Sequence, residues 1–355
     1  MASNDIMIIN VGMATPVGVG AAQTYTSVRA GINRYQASSV QNKRFEPMTL
    51  ALLPEDALPP LDAALESQGL TSRQARMLRL GALALTDMLA SGATVSATTL
   101  LFLGVPETLP GRSPAVPEAF PGYLARQARA TWDVRNTRMY PHGRAAGLVA
   151  LYEAVNWLRA HPDRDALVGA VDSYLDLYLL GMLDMEERVM APSTMDGFVP
   201  GEAACFMMLR GEESARRAGT RSLARIKGVA LGQEAGHRYS EAPYKGEGLA
   251  TVVQNLCAQA GTQASQIKTV YAGYNGESFF AKEWGVTYLR SKELFADPLK
   301  FEHPADCFGD AGAALGLVLA GLGAMGMNKN QLASDCLVWS SADRAERAAA
   351  LIGTI

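Results

Sequence analysis

Four cysteines and four histidines are the chain's candidates for nucleophilic or metal chemistry. Cys205, Cys257, Cys307 and Cys336 are scattered, with no CxxC pair among them. So sparse a set in 355 residues makes no disulfide framework and points to a reducing, cytoplasmic setting. Cys205 falls in an apolar strand-like run and Cys257 on an apolar helix face, both core positions. His161 and His237 have no partner at metal-ligand spacing, so neither a metal nor a cofactor is expected. Two clusters remain. His303, Asp306 and Cys307 are near neighbours in sequence, and His142 lies just before Arg144. A thiol becomes a nucleophile only beside a base or at a helix N-terminus, so any relocated chemistry would sit in these clusters.

The rest of the chain must position them. Hydrophobic residues make up 48% and charged residues 19%, a balance that supports a large core and argues against disorder. A net charge of −3 supplies no global field for nucleic acid or an anionic membrane. The N-terminal MASNDIMIINVGM lacks the basic region of a secretory signal. Residues 311–327 carry no charge, but the run is short for a membrane span and rich in Gly and Ala. Small residues allow close backbone packing, so this run reads as a helix buried between other layers.

Short apolar runs alternate with helical stretches, the rhythm of an α/β protein with covered sheets. Strands are predicted at 6–11, 100–105, 166–171, 203–209, 269–272 and 336–340. Helices are predicted at 72–89, 145–158, 249–260, 311–325 and 344–352. Three features then recur in the same order. LFLGV at 101–105 is similar to VYAGY at 270–274, HGRAAGLVAL at 142–151 to FGDAGAALGL at 308–317, and LVGAVDS at 167–173 to LVWSSAD at 337–343. The offsets are 169, 166 and 170 residues, which implies two similar halves. Their junction is read in the charged stretch 211–222, with the first half at 1–215 and the second at 216–355.

These features resemble the β-ketoacyl synthases of the thiolase superfamily. VGMATPVGVG at 11–20 is similar to the family's opening strand and turn, RAAGLVALY at 144–152 to its nucleophile helix, and GAVDS at 169–173 to the strand after it. DGFVPGEAACFMML at 196–209 resembles the family's D-G-F-x-x-G-E-[GA]-A strand and is the most specific match. GDAGAAL at 309–315 resembles the G-x-A-G segment after the second catalytic histidine. The resemblance spans nearly the whole chain. It implies an α/β thiolase fold, with duplicated βαβ halves forming a five-layered αβαβα sandwich.

The same resemblance implies three catalytic slots, and each holds another residue type. Arg144 takes the place of the nucleophilic cysteine, Gly273 that of the first histidine and Asp306 that of the second. A guanidinium is always charged and cannot attack an acyl thioester. A carboxylate repels a developing enolate. The family's last strand ends in a Gly- and Phe-rich loop, where this chain has Trp339-Ser340-Ser341-Ala342-Asp343. No conventional catalytic residue is therefore expected. An ion pair of Arg144 with Asp306 or with Asp310 is expected to plug the former active site. The chain then reads as a non-catalytic binding or adaptor protein, of the kind that accompanies type VI secretion effectors in bacteria. Two alternatives stay open: a chain-length-factor-like partner of an active ketosynthase, or a synthase with relocated residues such as Cys307 and His303. A homodimer is implied by the family, with a further protein partner that is either a secretion effector or a ketosynthase. Residues 104–138 are expected near the dimer interface and pocket mouth, and 233–245 as an exposed polar loop.

Overall fold

The computed structural model describes residues 5–92, 94–332 and 334–355. Ten strands carry the architecture. In the first half they are β1 (Ile6–Thr15), β2 (Leu100–Gly104), β3 (Asp133–Tyr140), β4 (Asp165–Ser173) and β5 (Glu202–Gly211). In the second they are β6 (Ala224–Gln233), β7 (Ile267–Ala272), β8 (Phe295–Glu302), β9 (Cys336–Ser341) and β10 (Glu346–Gly353). Their order across the sheet is β8-β7-β9-β10-β6-β1-β5-β4-β2-β3. Read outward from the centre, the two halves repeat one topology, each strand of the second matching the strand five earlier in the first. The halves join where Ile6, Met7 and Ile8 of β1 pair antiparallel with Ile226, Arg225 and Ala224 of β6.

Alternation along the strands sorts side chains into separate cores. On β1, Ile6, Ile8, Val11 and Met13 enter the central core, while Met7, Ile9 and Ala14 face the outer layer of the first half. That outer layer is α1 (Ser72–Ala90), started by a capping box between Thr71 and Gln74. The central layer is α2 (Ala146–Ala160) and α6 (Leu315–Asn328). A short helix, α3 (Leu177–Met185), follows β4. The outer layer of the second half is α4 (Glu247–Gln259) and α5 (Ser278–Arg290). The result is the five-layered αβαβα arrangement.

The position of α6 explains its composition. Every residue from Leu315 to Met327 is buried, because a helix packed on strands of both halves has no polar face. No helix among the described residues is long and apolar enough to cross a membrane. The two central helices touch backbone to side chain: a Cβ on Gly147 would lie 2.9 Å from Leu317 Cβ and 3.1 Å from Ala313 O. Only glycine allows that approach.

Two expectations change, and the stretch between the halves takes a definite form. The run 344–352 is not a helix: β10 occupies Glu346–Gly353 between β9 and β6. Its alanines favour helix locally, but ladder pairing on both sides decides. The boundary at 215/216 falls inside a short helix, Glu212–Arg217, and the second half opens with β6 at Ala224. The loop 233–245 is only partly exposed. Glu234 is buried and accepts a hydrogen bond from Gly248 N at the start of α4, and Arg238 pairs with Glu277.

Candidate functional site

The start of α2 faces the start of α6 across the centre of the molecule. Gly143 turns the chain at φ 52° and Gly312 does so at φ 53°, a region that suits glycine. Just after the first turn comes Arg144, only 3% exposed. Its Nη2 donates to the carbonyl of Gly273 at 2.7 Å, and its Nε lies 3.2 Å from Asp310 Oδ2. The guanidinium carbon stands 3.8 Å from the centroid of the Phe280 ring, a cation–π contact in a dry setting. Ser340 Oγ donates to the Arg144 carbonyl at 2.7 Å, so the end of β9 braces the helix start.

Neighbouring charges close into a network. Arg188 forks onto Glu277 at 2.8 and 2.9 Å and onto Asp343 at 2.9 and 2.9 Å. Arg238 reaches Glu277 at 2.9 Å, and Arg144 Nη1 lies 3.9 Å from Asp343. Three guanidiniums thus face the carboxylates of Asp310, Glu277 and Asp343, with Glu186 3.5 Å from Arg188 at the outer edge. Asn275 ties the two sides together, donating to Asp310 Oδ2 at 2.9 Å and to Glu277 Oε2 at 3.0 Å. Burial works against the Arg144 charge, but Asp310 and Asp343 outweigh it and hold the guanidinium protonated. Burial raises the Asp310 carboxyl, and Arg144 only partly offsets this. For Asp343 burial is outweighed by Arg188, and its carboxyl titrates below the usual range.

The expected slots fall as follows. Arg144 heads the central helix. Gly273 offers only its carbonyl, and a Cβ there would sit 2.7 Å from Trp339 O, so no side chain fits. Asp306 does not face Arg144. It lies exposed on the short helix Ala305–Phe308, where His303 Nδ1 stands 2.7 Å from its carboxylate. The chain then turns inward at Gly309, φ 76°, and presents Asp310 instead. Of the two carboxylates expected beside Arg144, the near one is Asp310. Cys307 does not face the chamber with a reactive thiol, because burial pushes it up to about 11 and leaves it protonated at neutral pH. Residues outside the sequence reading complete the site: Asn275, Glu277, Arg188, Asp343 and Phe280. Their sequence signal is faint, since Arg188 and Asp343 fall in separate segments and Asn275, Glu277 and Phe280 share one short stretch without a recognisable pattern.

The DGFVPGEAA motif has a structural duty here. Glu202 is fully buried and receives Arg76 Nε at 2.6 Å, Arg76 Nη2 at 2.7 Å and Ser173 Oγ at 2.7 Å. Asp196 accepts the backbone N–H of Ser278 at 2.7 Å, fixing the start of α5.

No family model matches the chain, and no curated protein matches it in sequence. Solved structures do match. The ishigamide ketosynthase/chain length factor superposes with a TM-score of 0.79 over 100% of both chains, at 15% identity. This chain has the ketosynthase fold. A type II polyketide synthase acyl-carrier protein in complex with its ketosynthase gives a TM-score of 0.79 at 14% identity, covering 99% of this chain and 100% of the other. The ketosynthase from module 6 of the bacillaene synthase of Bacillus subtilis 168 gives 0.79 at 15% identity, covering 99% and 72%. The Arg144 network lies at the starts of the two central helices. A chamber of about 320 Å³ remains beside it, bounded by Arg73, Glu107, Asp172, Tyr174 and Tyr239.

Proposed function

We propose that this ketosynthase-fold protein is non-catalytic and works as a binding or adaptor subunit. The observation that carries the reading is Arg144 at the start of α2, clamped between Gly273 O and Asp310. The resemblance puts the attacking cysteine there. A guanidinium that stays protonated has no free electron pair for acyl transfer. Nearby, the acceptor-only carboxylate of Asp310 opposes the enolate charge that decarboxylation would generate. The scaffold is then kept for its surface. Its working unit is a cytoplasmic homodimer, and its partner a bacterial type VI secretion effector, as the resemblance to degenerate thiolase-fold accessory proteins suggests.

A second reading is a chain-length-factor-like subunit beside an active ketosynthase. It is favoured by the full-length match to the ishigamide ketosynthase/chain length factor. Co-purification from the native host separates the two, by recovery of a secretion component or of a ketosynthase. Incubation with acyl- and malonyl-carrier protein tests the shared premise. Intact mass stays unchanged and no carbon dioxide is released; a stable acyl adduct or decarboxylation would overturn both readings.

A further inference from the structure

Residues 106–115 cross the mouth of the Arg144 chamber with free space on three sides. The chamber of about 320 Å³ is bounded on this side by Pro106, Glu107, Leu109 and Pro110. A groove of about 350 Å³ runs along Gly111, Arg112 and Ser113. A third cavity, of about 680 Å³, lies against Thr108, Ser113, Pro114 and Ala115. Within it only Pro106 is buried and Leu109 packs against the cluster of Leu179 and Leu183, so with cavities beside the rest a few tethers weigh heavily in its position. Arg112 stacks 4.0 Å from the Tyr178 ring, Gln74 Nε2 donates to Ala115 O at 2.9 Å, and Arg344 Nε stands 3.3 Å from Glu107 Oε2. Prolines at 106, 110 and 114 stiffen the segment, so it moves as a body.

We propose that residues 106–115 form a strap over the Arg144 chamber, and that the charge on Glu107 sets how firmly it closes. This goes beyond the adaptor reading and does not depend on whether the protein transfers acyl groups. Closed, Glu107 sits at the start of α2, its Oε1 3.3 Å from where a Cβ on Gly143 would be. It faces Asp343 and Arg344 on the turn before β10, and Glu346 on β10, which is itself 3.7 Å from His142. Arg144 lines the same chamber. Burial, then the like charge of Asp343, pushes Glu107 up to about 6, and Arg344 opposes this without winning. An open strap returns the carboxylate to water and to its ordinary range. The closed state therefore binds the proton more tightly. Closure strengthens as pH falls through about 6 toward the ordinary carboxylate range, and above that window both states are charged and closure stays at its weakest.

The direction is testable without a ligand. Arg112 is followed by serine and is held on the Tyr178 ring in the closed strap, so trypsin at about pH 8 reports release of the strap by the rate of cleavage there. Glu107→Gln keeps the shape of the protonated acid, and cleavage slows on the order of tenfold, one decade per pH unit of coupling. Arg344→Gln speeds it. Hydrogen exchange of the wild-type strap, expressed as protection factors, shows more protection at about pH 5.5 than at about pH 7.5, and the difference vanishes in Glu107→Gln. Faster cleavage in Glu107→Gln would make the ion pair to Arg344 the dominant latch and overturn the proposal. So would equal wild-type protection at both pH values.

Discussion

The helices α2 and α6 start alike and carry opposite charges. Both are entered through a left-handed glycine, Gly143 or Gly312. At α6 the positive end of the helix dipole meets carboxylates: Asp310 Oδ1 accepts from Gly312 N and Asp172 Oδ2 from Ala313 N, each at 2.9 Å. At α2 the same end meets the guanidinium of Arg144, which the dipole disfavours. Asp310 reconciles the two. One of its oxygens caps α6, and the other faces Arg144 Nε at 3.2 Å. A duplicated backbone thus constrains shape and leaves charge free, provided that the sister helix holds a carboxylate within reach.

The largest expected break in that comparison is Arg144→Ala. It strands Asp310 as a buried, unpaired carboxylate, and losing one partner of such a pair costs about 3–5 kcal/mol. Urea unfolding should show that loss. In Arg144→Met with Asp310→Asn much of it returns, because neither charge is then buried while an acceptor for Gly312 N remains. An unchanged midpoint in Arg144→Ala would remove the structural role given to this arginine.

Gly312→Ala comes next. It forces a side chain onto φ 53° with Asp172 Oδ2 only 2.1 Å from the new Cβ, at a cost of about 2–3 kcal/mol. Gly143→Ala shares the dihedral, but its nearest neighbour is the flexible end of Glu107 at 3.3 Å, so it should cost about 1 kcal/mol. Equal thermal shifts in the two variants would show that the two helix starts are not distinguished by Asp172. Asp172→Asn lies between these, at about 1–2 kcal/mol, since it weakens both the cap on α6 and the 2.8 Å pair with Arg73. A loss as large as that of Arg144→Ala would place the electrostatic weight on α6 instead of α2.

The duplication was legible because the two halves share strand-then-glycine and small-residue helix patterns, and those report packing between layers. Arg144 was legible because the small residues after it locate a helix start. Asp306 was not placed correctly by counting: it falls on the outward face of a short helical turn, and the turn toward Arg144 comes only at Gly309. Asn275 sits two residues past Gly273, beyond the strand end, where spacing carries no information about direction. The run 344–352 misled for another reason. Its alanines allow either helix or strand, and the neighbours that choose, β6 and β9, lie more than a hundred residues away or across a turn.

From its order of residues alone, the protein was bound to two α/β halves with a buried helix each and an arginine at the head of the first. Local periodicity and side-chain size suffice for that, because they state which face must leave water. The partner of the arginine was decided only in the tertiary structure. Asp310, Asp343, Arg188, Arg238, Glu277 and Asn275 come from five separate segments, and they meet only once the strand order has brought those segments to one point.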